Sequence, residues 1–504
     1  MDILSENIIS KFESVVVTIF LILVVLLFSS VSSLSKIILS FLLIIIFITR
    51  IYLTKNFLLN LQIKKHSLII FITILLFLFY LFFNTYFVSK IHFESKTELL
   101  NFCFYTLTFL VFYLISIQKS LVKEIFTSFL FVETILFLAY IFSGEKIINF
   151  FVYNQNILAG YCLLSWLFSF FYLYERKQKY KFVVVTTFII SSVFLILLKS
   201  FSAIFISAAT LVFVFLKNKL IKYSIVVSLL LIFIVLNFNS FVDRSIWIVI
   251  GTKIWVQHFF FGIGLGNFKF YYPQYLTNIW IEPSIATVFV HNYFVQLASE
   301  TGVIGIFIFL FFIYYILKNS KNKIFVYPLY GIILQNFVDY VLYIPQNSIL
   351  FFIFLSSLSA EIEIKDSCSI GQKNKNVLLY ILCIVFLLTY CIISFIKIDK
   401  IMLLINSNQK NCFYKTVSLD KTYWFGWKKI AVSLVDEGKL EQAKEMFENV
   451  IKTNPLDAES YLYLAIINFK LGNKSVGYKF LKQMLIFNPK MGNKYIKILR
   501  SEFK

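Results

Sequence analysis

Residues 67–88 read Ser-Leu-Ile-Ile-Phe-Ile-Thr-Ile-Leu-Leu-Phe-Leu-Phe-Tyr-Leu-Phe-Phe-Asn-Thr-Tyr-Phe-Val, without a charge, a proline or a glycine. A helix rises about 1.5 Å per residue, so roughly 20 apolar residues cross a hydrocarbon layer ~30 Å thick, and this run has that length. Comparable runs recur at about 14–31, 37–53, 99–117, 124–142, 157–174, 182–198, 201–217, 223–238, 296–317, 325–343, 347–360 and 377–397, which makes thirteen. The runs at 37–53, 201–217, 347–360 and 377–397 are marginal in length or boundary. Across its 504 residues the chain is 60% hydrophobic and only 14% charged, where a soluble domain carries about 25% charged residues. The reading is an all-α, polytopic helical membrane protein of about 12–13 spans over residues 1–398, followed by a small helical-repeat domain over 399–504. The run at 14–31 lacks a small-residue cleavage pattern and another follows at once, so it reads as a span and not as a removed signal.

Lys and Arg number 47 against 26 Asp and Glu, a formal net charge of +21. In a soluble chain this balance points to nucleic acid; between apolar runs it belongs first to the loops that orient helices. With the N-terminus cytoplasmic, the even-numbered connections hold nineteen Lys and Arg, among them Lys119, Lys123, Lys177, Lys179, Lys321 and Lys323. The short odd-numbered ones hold five: Lys36, Lys90, Lys96, Lys146 and Lys199. That asymmetry orients the chain without a nucleic-acid partner, and it places the long connection 239–290 and everything after residue 397 on the outer face. The six cysteines form no CxxC pair and do not cluster, so neither a disulfide framework nor a zinc site is expected.

The tail contains an internal repeat. Trp427 and Tyr461, Ile430 and Leu464, Ala431 and Ala465, Gly438 and Gly472, Ala443 and Gly477, Phe447 and Leu481, and Pro455 and Pro489 are pairs of like residues 34 apart. This period, with [WY]-x2-[IL]-A, a mid-unit glycine and a terminal Asn-Pro, resembles the tetratricopeptide repeat. Each unit is a helix pair that buries little alone, so two units and a half lean on the membrane domain or on a protein partner.

Several chemistries are disfavoured by missing motifs. There is no G-x4-G-K-[ST], no H-E-x-x-H and no D-x-D; the eight aspartates are isolated, so no metal and no cofactor is expected. Gly262-Ile263-Gly264-Leu265-Gly266 lacks the spacing and the strand–helix setting of a dinucleotide fingerprint, and reads as a flexible or tightly packed loop. His291 opens H-N-Y-F-V-Q-L-A-S-E-T-G before an apolar run. A helix N-terminus there disfavours imidazolium and leaves the ring available as a proton acceptor. Glu300, nine residues on, is about 180° around a continuous helix and does not share a face with His291 unless Gly302 marks a break; its other role is to orient the loop. In the 239–290 connection, which also holds Trp280, helical spacing puts Arg244, Trp247, Ile248, Gly251, Trp255 and His258 on one stripe. A guanidinium beside indoles suits a diphosphate at a sugar or lipid headgroup, and it equally suits an interfacial belt.

The series Arg244-x2-Trp247, Gly262-Ile-Gly264-Leu-Gly266-Asn-Phe and His291-N-Y-F-V-Q-L-A-S-Glu300-T-Gly302-V-I-Gly305 resembles the signature region of the O-antigen ligase and polymerase superfamily. Upstream, Asn154-Gln155-Asn156-Ile157-Leu158-Ala159-Gly160 resembles its N-x-N-x-x-A element. The likeness covers roughly residues 150–345. It implies a metal-independent, inverting transferase of the bacterial inner membrane. Such an enzyme moves a polyprenyl-diphosphate-linked glycan onto a lipid, protein or glycan hydroxyl at the outer face. By the same resemblance, His291 is the catalytic base and Arg244 holds the donor diphosphate with Lys253 or Lys199, while Asn156 and Glu300 complete the substrate-binding set. The chain departs from the family where S-R-[GS]-A is usual: it reads Lys199-Ser200-Phe201-Ser202-Ala203, with Phe201 at the arginine position. Lys199 is the nearest charge, a point charge and not a fork. The competing reading is a non-catalytic, membrane-tethered repeat scaffold or a polysaccharide transporter. Transporters carry midplane charges and repeated broken helices; here Glu133 is the clearest charge within a run, Asp339 lies near the end of another, and no broken-helix pair recurs.

Overall fold

The computed structural model describes residues 2–28, 33–53, 65–143, 155–236, 238–278, 287–365 and 376–491; Asn154, Lys146 and Trp280 lie outside them. Among the described residues the long regular elements are all α-helices and no strand occurs. They are α1 (Asp2–Phe28), α2 (Ser33–Leu53), α3 (Lys65–Phe83), α4 (His92–Ser116), α5 (Val122–Ser143), α6 (Gln155–Tyr174), α7 (Lys181–Leu197), α8 (Phe201–Phe215), α9 (Lys219–Leu236) and α10 (Phe238–Gln257). After a loop with one helical turn, Phe268–Tyr271, come α11 (Tyr293–Asn319), α12 (Lys323–Gln335), α13 (Pro345–Lys365) and α14 (Asn376–Asn406). The tail adds α15 (Lys410–Leu419), α16 (Trp424–Asp436), α17 (Leu440–Thr453), α18 (Ala458–Lys470) and α19 (Lys474–Phe487).

Among the described residues the thirteen apolar runs fall wholly or largely on helices, the run 325–343 passing beyond α12 into a turn, and eight helices are long and apolar enough to cross a membrane: α1 to α6, α11 and α14. The apolar α7, α8 and α12 have 17, 15 and 13 residues, short of the roughly 20 a full crossing needs. α13 opens on the polar Gln346-Asn347-Ser348 and is buried in the bundle. The expectation of thirteen is therefore met in helix content and not in span length.

Outward-facing apolar stripes mark the lipid-exposed surface. On α3, Ile72, Leu76 and Phe79 are exposed at helical spacing; on α11, Phe307, Phe311 and Tyr314 are. Water would not tolerate such contiguous patches. The centre is α4, whose most apolar 18-residue stretch is 94% buried, whereas that of α14 is 28% buried and runs along the bundle surface. α4 packs on α13, and aromatic pairs fill the gaps between other helices: Phe126 lies 4.6 Å from Phe168, and Phe171 stacks on Tyr327 at 4.3 Å.

The boundary expected at residue 398 falls inside α14, so the apolar part and the tail share a helix. In the tail, α16 packs on α17 and α18 on α19. Gly438 and Gly472 make the two turns at φ +74° and +79°. A Cβ there would meet nothing within 4 Å, so the left-handed backbone alone selects glycine. The tail sits on the start of α4. Phe93 and Tyr423 rings are 4.5 Å apart, Trp424 Nε1 donates to Glu94 Oε1 at 3.3 Å, and Phe270 meets Trp424 edge-on. Asp420 lies between Lys397, at 2.8 Å, and Lys96, at 3.7 Å. The tail and the 239–278 segment thus occupy the same face of the bundle.

Candidate functional site

The N-terminus of α11 is fastened to the segment that follows α12. Asn292 caps α11, its Oδ1 accepting from Phe294 N and Val295 N, while its Nδ2 donates to Phe337 O at 2.9 Å. Tyr293 N donates to Asn336 O at 2.9 Å, and Asn336 Oδ1 accepts from Leu342 N. These bonds satisfy the free N–H groups of the helix end and fix the 336–342 segment. The segment presents Asp339, which is buried.

An arginine and a histidine face that carboxylate. Arg244, on α10, donates from Nη1 to Val338 O at 2.8 Å, and its Nη2 stands 3.6 Å from Asp339 Oδ2. His291 Nδ1 stands 3.6 Å from Asp339 Oδ1. His291 is one residue before the N-cap, at φ +56°, and its ring is sandwiched: Trp247 stacks on it at 4.4 Å and Tyr340 meets it edge-on at 4.6 Å. With Nδ1 turned to the carboxylate, Nε2 is the nitrogen left to accept a proton.

Beside this triad lies a cavity of about 360 Å³, within the range that holds small ligands. Asn156, Lys199, Phe201 and Arg244 all line it, with Ser240 and Ser245. Asn156 is in the first turn of α6, where its Oδ1 accepts from Ser200 Oγ at 3.0 Å. Lys199 is exposed and sits in the α7–α8 turn at φ +49°. Phe201, at the position where arginine was expected, is 42% exposed. Three parts of the chain are thereby brought together, offering one fork, one point charge and an amide to an anionic ligand with apolar walls beside it.

Three expected site residues do not line this cavity. His291 shares Asp339 with the cavity residue Arg244, but neither His291 nor Asp339 is on the cavity wall. Lys253 is exposed and half a turn out of phase with Arg244 on α10, which directs it elsewhere. Glu300 is buried on α11. Gln296 Nε2 donates to it at 3.2 Å, Tyr343 Oη at 3.3 Å, and the N–H groups of Gly266 and Phe268 reach it. Gly302 does break α11 (φ +68°, ψ −174°), but the break comes after Glu300 and does not turn it toward His291. Glu300 instead holds the glycine loop, as the alternative expectation had it. That loop is tightly packed: Ile263 N and Gly264 N donate to Ser299 O and Glu300 O, Leu265 N to Asn84 Oδ1, and Gly262, Gly264 and Gly266 all have positive φ. At the far end of the Arg244 stripe, burial and then Lys90 hold the His258 imidazole below its ordinary pKa, away from the cavity. Asp339 and Tyr340 were not singled out as site residues; the one signal was a charge near the end of the apolar run 325–343. Among the described residues no three His, Cys, Asp or Glu side chains are placed to hold a metal ion. No family model, curated protein or solved structure matches the chain.

Proposed function

We propose that the chain transfers or polymerises a polyprenyl-diphosphate-linked glycan onto an acceptor hydroxyl at the outer face of a bacterial inner membrane, with the tail as a tetratricopeptide-type module on that face. The observation that carries this reading is the convergence of Arg244, Lys199 and Asn156 on one cavity, with Arg244 and His291 sharing Asp339. A diphosphate is a competent leaving group, so the protein has to hold it, neutralise the charge that develops and place the acceptor in line. Arg244 and Lys199 supply the positive charge. His291 takes the acceptor proton on Nε2, and Asp339 stabilises the resulting imidazolium through Nδ1. The oxygen displaces the diphosphate at the anomeric carbon, with inversion. No metal or cofactor is called for in this scheme, and Lys253 has no part in it.

Deleting the gene and profiling surface glycans tests the reading. Accumulated polyprenyl-diphosphate oligosaccharide supports a transferase; unchanged carrier with mislocalised envelope proteins supports the scaffold.

A further inference from the structure

The lysines that orient the helices also converge. α4, α6 and α11 begin on the face that carries the Arg244 cavity and the tail, and end on the opposite one. There the turn after α4, the start of α5, the end of α6 with its following turn, and the start of α12 wall a basin of about 720 Å³. Six lysines line it: Lys119, Lys123, Lys177, Lys179, Lys321 and Lys323. Two are paired, Lys119 with Glu124 at 2.7 Å and Lys323 with Glu175 at 3.2 Å. Lys123, Lys177, Lys179 and Lys321 are exposed and form no ion pair among the described residues; Glu361 is the third carboxylate on the wall. The turn bearing Lys177 and Lys179 is fixed, with Arg176 and Tyr180 at φ +54° and +67° and Tyr172 Oη donating to Lys179 O at 2.5 Å.

Orientation requires lysines on this side of the bundle. It does not require that three connections far apart in sequence gather them around one concavity of ligand size. Unpaired ammonium groups at this spacing repel one another, and a ligand with two or more negative charges relieves that repulsion. The ammonium is a compact point charge with three rotatable donors, suited to phosphate oxygens in varied poses. We infer that this basin binds a multiply charged phosphate ligand. The chemistry is that of the two phosphodiesters of a dianionic phospholipid headgroup, and equally of a soluble di- or triphosphate. The site is separate from the Arg244 cavity and stands whether or not the chain transfers glycan.

The test uses the full chain in phosphatidylcholine nanodiscs, with the unfolding midpoint followed while cardiolipin is added to the lipid in one series and inorganic pyrophosphate to the buffer in another. The midpoint rises in at least one series at low salt and the rise fades at about 0.5 M salt, where screening acts within a few ångströms. A rise with cardiolipin alone assigns a lipid headgroup, and a rise with pyrophosphate alone a soluble phosphate. The double variant Lys123→Gln/Lys321→Gln keeps four lysines for orientation and weakens binding about 25-fold, fivefold for each lysine lost. Lys123→Arg/Lys321→Arg retains binding and separates lost charge from lost folding. No midpoint shift for the wild-type chain in either series, or an undiminished response in a folded Gln variant, overturns the inference.

Discussion

Arg244 and His291 stand on opposite oxygens of one buried carboxylate, each 3.6 Å from Asp339. In the proposed scheme one of these groups holds the donor and the other accepts a proton, and Asp339 sets their separation. Asp339→Asn keeps the volume but removes the charge, leaving the imidazole unoriented and the guanidinium facing an amide. Glycan transfer in isolated membranes falls about 10²-fold or more at unchanged protein level, the scale of general-base effects. Transfer within about twofold of wild type would show that the shared carboxylate has no such role.

Arg244→Lys distinguishes a fork from a charge. The guanidinium reaches Val338 O with Nη1 while Nη2 faces Asp339, and an ammonium cannot do both and still turn donors to the cavity. The Lys variant therefore resembles Arg244→Ala, with transfer down about tenfold or more, when assayed with purified lipid-linked donor.

The glycines separate strain from clash. Gly302 adopts a backbone conformation that is nearly glycine-only, and a Cβ there would lie 2.2 Å from Phe260 O. Gly302→Ala destabilises the chain by about 3 kcal/mol or more and frees the 260–266 loop. Gly472→Ala meets no atom and costs only the left-handed conformation, about 1 kcal/mol. Unfolding midpoints of the two variants, measured side by side, give that order.

Tail docking is acid-sensitive. Burial works against the Asp420 charge, but hydrogen bonds from Lys397 and Thr422 and the nearby Lys96 outweigh it and hold the carboxyl below its ordinary pKa. The depressed value means that Asp420 contributes stability above the unfolded value of about 3.9, and that the contribution is lost as pH falls through the lower folded one. Hydrogen exchange in α15 and α16 is predicted to rise as pH is lowered through that window, after correction for intrinsic rates, and to rise already at neutral pH in Asp420→Asn. The start of α12, on the opposite face of the bundle, serves as the internal reference.

The helical content was legible from apolar runs because a membrane solvent demands helices wherever such runs occur. Span number was less so, since α7, α8 and α12 are apolar but short, and hydropathy does not fix where a helix ends. Arg244, Asn156 and Lys199 stand out in the sequence by residue type and motif spacing, and the fold brings them to one cavity. Lys253, nine residues from Arg244 on α10, does not line that cavity, since charge alone does not say which side of a helix a residue takes. Asp339 reads in sequence only as a charge near the end of a run, because its partners lie at 244 and 291 and the α11 cap that ties Asn292 to Phe337 helps bring them together. The boundary drawn at 398 lies within α14, which stays apolar to Asn406 and runs on into the tail.

The most direct measurement is glycan transfer by His291→Ala and Arg244→Ala, each expressed at wild-type level, with the polyprenyl-diphosphate oligosaccharide pool quantified in the same cells. The account predicts that both variants lose transfer and accumulate the lipid-linked donor. Normal transfer with no accumulation in either variant would contradict it.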